Sequence, residues 1–430
     1  MTAPMVPPGR SSSTGSLAGA GNRCCIVGGG PAGIVLGFLL ARAGVPVTVL
    51  EKHADFLRDF RGDTVHPSTL QILHELGLLQ RFLALPHQEY RSVHASIGDH
   101  DVVVADFSRL PTAAKFLVIM PQCDFLNFLV VEARRYPCFS IQMSSEVTAL
   151  IEEDGVVRGV RVHGIAGPAD IRARLVVGAD GRRSRVRELS GLAVTDLGAP
   201  IDVLWFRVSR RPEDPEQPLG RFLDGRISIL INRGDYYQCG LVVRKGAFDA
   251  LKAAGLESFR RLLADSIPVL GARTGELASW DDVKLLTVRV DRLRTWHRPG
   301  LLCIGDAAHA MSPIGGVGMN LAVQDAVAAA NALSGPLARH ELVSPALLAS
   351  IQKRRTFPTC ATQRVQIFLQ HLIIRALARS SSGPLPLPFR LLDRFPRLRG
   401  LPARIVGLGL RPEHVLSRAA NSDHSGEQTP

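Results

Sequence analysis

The chain has 430 residues, of which 46% are hydrophobic and 21% charged, and its formal net charge is +12 at pH 7. This composition is typical of a soluble globular protein and excludes a low-complexity or fibrous chain. Aromatic residues make up only 6% and most arginines are dispersed, so the positive charge does not predict a nucleic-acid-binding surface.

The ends of the chain and its cysteines indicate where the folded part lies. Residues 1–21 are rich in Ser, Gly and Pro, and we expect this segment and the tail 419–430 to be disordered. The seven cysteines are scattered and form no C-x-x-C pair. The sequence therefore predicts no metal site, and it predicts a reducing, cytoplasmic location.

The first motif follows a short apolar strand at 24–27. Gly28, Gly30 and Gly33 form G-x-G-x-x-G, a helix is predicted over 32–43, and a second strand over 45–50 ends at Glu51. Glu51 stands 23 positions after Gly28, close to the spacing expected for a ribose-binding carboxylate. The uncharged run could also suggest a membrane segment, but three glycines and a proline fit a spanning helix poorly.

Two further segments place an acid at the end of an apolar strand. The run 175–177 leads to Asp180-Gly181, and Ser184 and Arg187 complete D-G-x-x-S-x-x-R. Residues 302–304 lead to Gly305-Asp306, and a glycine-rich loop from Pro313 to Asn320 then leads into an Ala-rich helix. The helix start near Met319 would direct free N–H groups at a ligand in this loop.

The pattern between residues 198 and 290 is different. Short strands are predicted at 203–208, 226–231 and 236–243, followed by a helix over 247–264. This arrangement indicates an antiparallel sheet that is inserted between the second and third motifs.

In this order, the three motifs resemble those of the FAD-dependent single-component aromatic hydroxylases, the p-hydroxybenzoate hydroxylase family, over roughly residues 22–375. The resemblance implies an α/β fold: a FAD-binding, Rossmann-like doubly wound domain with an inserted antiparallel β-sheet substrate domain. The expected division is a FAD-binding domain in two parts, 22–197 (with some substrate-domain strands near 90–118) and 285–375, a substrate domain 198–284, and a basic, apolar C-terminal region 376–418.

The resemblance also implies which residues contact the cofactor. They are Gly28, Gly30, Pro31, Ala32, Gly33, Glu51, Lys52, Arg61, Gln122, Asp180, Gly181, Arg187, Gly305, Asp306, Pro313, Gly315, Gly316, Gly318, Met319 and Asn320. Arg187 is alternatively a structural salt-bridge partner, and His309 is expected to be structural rather than catalytic.

Substrate contacts are expected on the inserted sheet and in the glycine-rich loop. The candidates are Trp205, Phe206, Tyr236, Tyr237 and Pro313. Because side chains alternate along a strand, only one member of each adjacent pair can face the flavin. No base that would deprotonate the substrate can be named from the sequence.

The family's activity provides the functional expectation. NADPH or NADH would reduce FAD, O2 would add to the reduced flavin as a C4a-hydroperoxide, and one oxygen atom would pass to a small aromatic or polyketide-like substrate. The alternatives are a flavin-dependent reductase or dehydrogenase of an isoprenoid-like double bond, and a non-catalytic flavin-binding protein.

The C-terminal region permits several interpretations. Residues 371–414 hold eight arginines against one aspartate and one glutamate, interleaved with Leu, Ile, Phe and Pro. Such a segment could contact an anionic membrane surface weakly, pack against a second subunit, or cap the flavin domain. The protein is accordingly expected to be a monomer or a homodimer, with membrane contact at most peripheral.

Overall fold

A computed structural model describes residues 23–57, 64–98, 100–214, 220–223, 226–377 and 385–420, with only the backbone described over 373–377. The segments predicted to be disordered lie outside the described residues, apart from 419 and 420. Across the described chain, no helix combines the length and the apolar character needed to cross a bilayer.

The described chain forms strands throughout its first three quarters. In chain order they are β1 (Cys24–Val27), β2 (Val47–Leu50), β3 (Thr64–Val65), β4 (Gln88–Tyr90), β5 (Ser92–Ile97), β6 (His100–Asp106), β7 (Leu117–Ile119), β8 (Phe139–Gln142), β9 (Glu146–Glu153), β10 (Val156–Gly164), β11 (Gly167–Arg172), β12 (Leu175–Gly178), β13 (Val194–Asp196), β14 (Ile201–Ser209), β15 (Gly220–Leu223), β16 (Arg226–Asn232), β17 (Tyr236–Arg244), β18 (Lys284–Leu286), β19 (Asp291–Leu293), β20 (His297–Arg298) and β21 (Leu301–Cys303).

Helices alternate with these strands and dominate the C-terminal part. They are α1 (Pro31–Arg42), α2 (Pro67–Glu75), α3 (Leu79–Leu83), α4 (Gln122–Ala133), α5 (Arg185–Ser190), α6 (Phe248–Ala253), α7 (Leu256–Ser266), α8 (Gly318–Ala338), α9 (Pro345–Leu377), α10 (Leu387–Arg394) and α11 (Gly400–Gly407). Short 3₁₀ turns lie at Pro268–Glu276, Trp280–Asp282, Gly305–Ala307, Ile314–Gly316 and Pro396–Arg399.

A six-stranded sheet in the order β20-β21-β12-β1-β2-β8 forms the centre of the first layer. Its strands pair in parallel except β20, and β1 is flanked by β12 and β2. The strands β1, β2, β12 and β21 are buried along their whole length, as expected when helices cover both faces of a parallel sheet. This confirms the expected doubly wound, Rossmann-like architecture.

Close packing of the backbone joins β1 to α1. Gly28 has φ +111°, and a Cβ there would lie 2.4 Å from the carbonyl oxygen of Ala179. A Cβ on Gly33 would lie 1.9 Å from the carbonyl oxygen of Gly28. Only glycine therefore fits these two positions, which bring the helix start against the ends of β1 and β12.

A seven-stranded sheet in the order β18-β14-β17-β16-β15-β5-β6 forms the second layer. Residues of α6 and α7, among them Phe259 and Leu263, pack on one face together with Phe206 and Tyr237. The opposite face carries Val203, Trp205 and Ile227 and forms a separate apolar cluster. The strands β5 and β6, from residues 92–106, also belong to this sheet.

Two sequence expectations need correction. The helix expected over 247–264 is broken into α6 and α7, because Gly255 between them has φ +88°. The strand expected over 45–50 begins at Val47, since Pro46 has no N–H group to donate to a ladder.

The C-terminal region packs against the edge of the second sheet. Ala403 in α11 and Leu408 are buried with Phe107 and Leu110, which follow β6. The helix α10 contains no buried residue, and Leu387 and Leu391 on it are exposed.

We expect Gly33→Ala to destabilise the protein by more than about 2 kcal/mol, because the added methyl group would overlap the Gly28 carbonyl. Denaturant unfolding measures this change. Gly275→Ala is the matched control, since a Cβ there has no atom within 4 Å. Equal stabilities of the two variants would contradict the proposed close contact.

Candidate active site

One continuous cavity of about 2310 Å³ lies between the two sheets. Residues from all three sequence motifs line it on the side of the first sheet, and the apolar face of the second sheet lines it opposite. The motif residues lie where β1, β2, β12 and β21 end. Ligands of open α/β sheets bind outside these carboxyl ends of the strands.

The glycine turn after β1 is open to the cavity. A Cβ on Gly30 would have no atom within 4 Å, so this position provides space rather than packing. Glu51 at the end of β2 is buried and holds the turn: its Oε2 accepts a hydrogen bond of 2.9 Å from the Gly29 N–H. Its Oε1 accepts the N–H of His53 at 3.0 Å. Glu51 thus fixes the loop and also lines the cavity.

The turn of the Asp-Gly segment is held by hydrogen bonds within the segment itself. The Asp180 carboxylate accepts hydrogen bonds from the Ser184 hydroxyl and from the Val186 N–H at 3.1 Å. Ser184 caps α5 by accepting the Arg187 N–H at 2.9 Å. Burial raises the pKa of Asp180. Asp180 lines the cavity, whereas the Arg187 side chain is buried away from it and pairs with Asp291 at 3.0 Å.

The Gly-Asp segment after β21 places a carboxylate next to an arginine at the cavity wall. Arg182 Nη2 lies 3.5 Å from Asp306 Oδ2, and both side chains are about one-quarter exposed. Arg182 Nη1 is buried, and no acceptor is assigned to it in the described chain. The cavity wall therefore offers one partly exposed carboxylate and one buried cationic donor.

The glycine-rich loop leads to the N-terminus of α8. Gly315 and Gly316 have positive φ angles of 78° and 63°, which let the loop turn closely. The first backbone bond into α8 is from the Leu321 N–H to Val317, so the N–H groups of residues 318–320 have no partner within the helix. These donors and the helix dipole create a positive site at the cavity edge.

A buried histidine supports this loop from below. His66 is completely buried, and its Nε2 lies 3.1 Å from the carbonyl oxygen of Gly316. Burial lowers the pKa of His66 from its usual 6.5 to about 4, although the hydrogen bond to the Gly316 backbone opposes the shift. His66 therefore holds the glycine-rich loop through Gly316 as a neutral ring at pH 7.

A buried ionic network lies behind the Gly-Asp segment. Asp325 in α8 accepts hydrogen bonds from the Gly305 N–H at 3.0 Å, His309 Nε2 at 2.6 Å and Arg355 Nε at 2.8 Å. Arg355 also pairs with Glu413 at 3.2 Å. This confines His309 to a structural position. Its ring packs at a tilt against Trp296 and does not line the cavity.

Strand alternation separates the expected substrate contacts. Trp205 lines the cavity, and its indole lies across Gly240, where a Cβ would be 3.0 Å from the ring. Phe206 and Tyr237 point the other way, into the core beneath α7, so the expectation that they could line the pocket is wrong for both. Tyr236 is also absent from the cavity wall, because its ring is stacked under the Arg207 guanidinium at 3.9 Å.

The structure brings most of the expected cofactor positions together around the cavity. These lining residues are Gly28, Gly30, Pro31, Ala32, Glu51, Lys52, Gln122, Asp180, Gly181, Asp306, Pro313, Gly315, Gly316, Gly318 and Met319. The side chain of Asn320 turns away to bond Ser68 and Thr69, and Gly33, Arg187 and Gly305 lie behind the lining. Arg61 lies outside the described residues. The role of each residue in cofactor contact stays a prediction.

Sequence reasoning missed several residues of the cavity and its support. Arg182 directly follows Gly181 in the Asp-Gly motif, so the motif itself could have indicated it, whereas its pairing with Asp306 is visible only in the structure. No sequence pattern marks Gly240 or Gln238 as part of the cavity, because only the pairing of β17 with β14 and β16 shows which residues lie beside them. The C-terminal region also contributes to the wall through Leu385, Pro386, Pro388, Phe389, Pro402 and Val406.

Taken together, the glycine turn, the two strand-end aspartates and the opposing apolar sheet define a flavoprotein of the two-sheet aromatic hydroxylase type. Comparison with known proteins agrees. The chain belongs to the FAD binding domain family, whose model matches residues 22–364, and it is a FAD-dependent monooxygenase. Its cofactors are FAD and, as electron donor, NADPH or NADH.

Three similar proteins illustrate the relationship. The chain is 34% identical over 390 residues to the 6-methylpretetramide 4-monooxygenase of Streptomyces rimosus, covering 90% of this chain and 93% of that protein. The anhydrotetracycline hydroxylase OxyS of Streptomyces rimosus superposes with a TM-score of 0.71 at 25% identity, over 90% of this chain and 75% of that one. The p-nitrophenol 4-monooxygenase PnpA of Pseudomonas putida shares the fold, with a TM-score of 0.71 at 21% identity over 89% of this chain and 96% of that one.

The residues around the glycine turn fit FAD on independent structural grounds. A Cβ on Gly30, Gly181 or Gly318 would meet no atom within 4 Å, so these positions leave room for a ligand close to the backbone. The buried Nη1 of Arg182 needs an acceptor, which a diphosphate, ribityl or ring oxygen could provide. The free N–H groups at the start of α8 suit an electron-rich group.

We expect Gly30→Val to yield protein without bound flavin and with near-normal unfolding in denaturant. The valine side chain would occupy open cavity space, and the extended backbone at Gly30 (φ −77°, ψ −177°) accepts any residue. Flavin absorbance per mole of purified protein measures the effect. Full flavin content in this variant would show that the cofactor binds elsewhere.

We expect the stability of the protein to fall by about 2 kcal/mol between pH 7 and pH 5 through His66 alone. His66 stays neutral in the folded chain until about pH 4, while the unfolded chain binds a proton below about pH 6.5. The stability is therefore complete above pH 6.5 and decreases as the pH falls. Urea unfolding of wild type and His66→Gln isolates this contribution; parallel pH profiles would contradict it.

Proposed function

We propose that this monooxygenase hydroxylates a planar, fused-ring aromatic compound of the polyketide type. The observation that carries the proposal is the cavity wall formed by the second sheet. Trp205 lies flat across Gly240, and Ile229 and Ile231 on the neighbouring strand continue the same apolar surface. A flat, apolar wall that faces the cofactor side of the cavity suits a flat ligand.

The size of the cavity supports a polycyclic substrate. Pockets for single drug-sized ligands occupy roughly 300–1,000 Å³, whereas this cavity measures about 2310 Å³. It has room for a dinucleotide along the first sheet and a multi-ring compound along the second. The C-terminal helices close its far side with apolar groups such as Phe389 and Val406.

The relatives point in the same direction. The 34% identical protein is named for 6-methylpretetramide and the structural neighbour OxyS for anhydrotetracycline, both of which are polycyclic. The shared length is large in both comparisons. We therefore assign the substrate of this chain to the same chemical class without naming the compound.

The chain's own residues would orient the reactants and control charge. Bound FAD supplies the redox chemistry, accepting hydride from NAD(P)H and activating O2. The N-terminus of α8 and the loop from Pro313 would stabilise negative charge that develops next to them. The apolar walls from the second sheet and α9–α11 would exclude water from the reacting atoms.

The experiment that tests the proposal uses ¹⁸O2. Holoenzyme with NADPH or NADH is incubated with 6-methylpretetramide, anhydrotetracycline or, as a single-ring comparison, p-nitrophenol. We expect one ¹⁸O atom per product molecule with a fused-ring compound and faster anaerobic flavin bleaching in its presence. Turnover confined to p-nitrophenol would contradict the fused-ring assignment. A product reduced at a double bond and free of ¹⁸O would favour the reductase alternative.

We also propose a cytoplasmic location for the protein. All seven cysteines are free thiols, and four of them are buried. Burial raises the pKa of Cys25 to about 12, which makes its thiol unreactive. Weak membrane-surface contact through the C-terminal region and a monomeric or homodimeric state stay predictions from the sequence. Part of that region's apolar surface is already used in the cavity wall.

A further inference from the structure

Gln238 is a polar residue in an otherwise apolar part of the cavity wall. It lies on β17, its side chain is 96% buried, and it lines the cavity. We infer that Gln238 donates a hydrogen bond to an oxygen acceptor on the substrate, such as a ring carbonyl or a phenolate. This inference rests on the proposed fused-ring substrate and specifies which group of it the site recognises.

The orientation of the Gln238 amide is fixed by an arginine. Its Oε1 accepts two hydrogen bonds from the Arg233 guanidinium, from Nε at 3.1 Å and from Nη2 at 3.0 Å. A guanidinium can only donate, so the amide oxygen must face it and the amide nitrogen must face away. Two charge-assisted bonds to the oxygen also polarise the amide and strengthen its N–H groups as donors.

The amide nitrogen has no acceptor within the part of the chain that the structure describes. Buried donors in folded proteins are almost always satisfied, by protein, water or ligand. Gln238 borders the cavity and its amide nitrogen is accessible from it, so a ligand that displaces water from this part of the wall must supply an acceptor in its place.

The turn between β16 and β17 holds Arg233 in place. The Arg233 N–H donates to the carbonyl oxygen of Tyr236 at 2.9 Å, and the Gly234 N–H donates to Asn232 Oδ1 at 2.9 Å. Gly234 has φ +91°, which this tight turn requires. The Arg233 side chain thus extends from the turn along the hairpin to Gln238 and fixes the orientation of its amide. Arg233 is therefore a positioning residue.

The donor is adjacent to the aromatic part of the wall. Gln238 and Gly240 are two residues apart on the same face of β17, roughly 7 Å along the strand, and Trp205 lies across Gly240. Ile231 stands opposite Gln238 on β16. A fused-ring compound that stacks on Trp205 would therefore bring an oxygen at its ring edge to Gln238.

The arrangement predicts selectivity rather than affinity alone. A ligand that lacks an acceptor at this edge would cover the amide donor and leave it unpaired, and sites with a fixed polar partner discriminate strongly against such ligands. A ligand with only a donor there would be rejected for the same reason.

The test compares two soluble three-ring probes that differ only in their ring carbonyls, anthraquinone-2-sulfonate and anthracene-2-sulfonate. Their dissociation constants are measured by calorimetry on the FAD-bound holoenzyme. We expect wild type to bind the carbonyl probe about tenfold more tightly than the hydrocarbon. Gln238→Leu should abolish this ratio while leaving the binding of anthracene-2-sulfonate nearly unchanged.

Two further variants separate recognition from folding. Gln238→Glu keeps an acceptor for Arg233 but removes the donor, so it should also lose the preference. Arg233→Met should reduce the preference, because the amide is then free to rotate. Gln80→Leu, at an exposed position of α3 away from the cavity, is the matched control and should behave as wild type.

Each outcome is decisive. Loss of the carbonyl preference in Gln238→Leu and Gln238→Glu supports the inference. A wild-type enzyme without the preference, or variants that retain it, would overturn the inference and leave the fused-ring proposal intact. A wild-type enzyme that binds neither probe would overturn the fused-ring proposal itself, and this inference with it.

Discussion

The hydrogen bonds and ion pairs of the Asp325 carboxylate hold together the elements behind the motif side of the cavity. The carboxylate is completely buried and joins three elements: the Gly305 N–H after β21, His309 in the following turn and Arg355 in α9. Burial alone would raise the pKa of Asp325, but the charges and hydrogen bonds of His309 and Arg355 lower it overall. The carboxylate therefore remains ionised, and removing a single partner would leave a buried charge uncompensated.

The same network extends to the C-terminal segment of the described chain. Arg355 pairs with both Asp325 and Glu413. The Glu413 carboxylate also accepts hydrogen bonds from Arg354 Nε at 2.9 and 3.0 Å. The segment that contains Glu413 follows α11, and α11 supplies Val406 to the cavity wall. The position of the Gly-Asp turn at the cavity and the position of the C-terminal wall are thus coupled through one set of buried ion pairs. A charged network specifies this geometry more narrowly than apolar contacts would, since its distances and directions are fixed.

The sequence predicted the first sheet well because its signals are local. Gly28 and Gly33 are required by contacts within a single strand–turn–helix unit, and Asp180 and Asp306 directly follow the strands that place them. The second sheet was predicted as strands, yet the roles of its residues were not. Trp205 and Phe206 are equally apolar neighbours, and only the packing of α7 on one face determines that Phe206 points inward to that helix. Likewise, Tyr237 is buried by a layer whose position the alternation of residues cannot reveal.

The residues that set specificity are the least visible in a sequence, because their meaning comes from long-range pairing. Gly240 contributes to the wall because β14 brings Trp205 opposite it. Gln238 has a fixed amide because the hairpin brings the Arg233 guanidinium to the Gln238 Oε1. Both positions lie on one strand, and both face a cavity whose other wall is built from fixed motifs. The motif side is fixed by backbone contacts within one strand–turn–helix unit, such as that of Gly33 against the Gly28 carbonyl. The opposing wall is lined by side chains such as Trp205 and Gln238, and single substitutions there can change what binds without altering the fold. Selectivity for a new substrate would therefore arise on β14, β16 and β17 before it arises anywhere near the glycine turn.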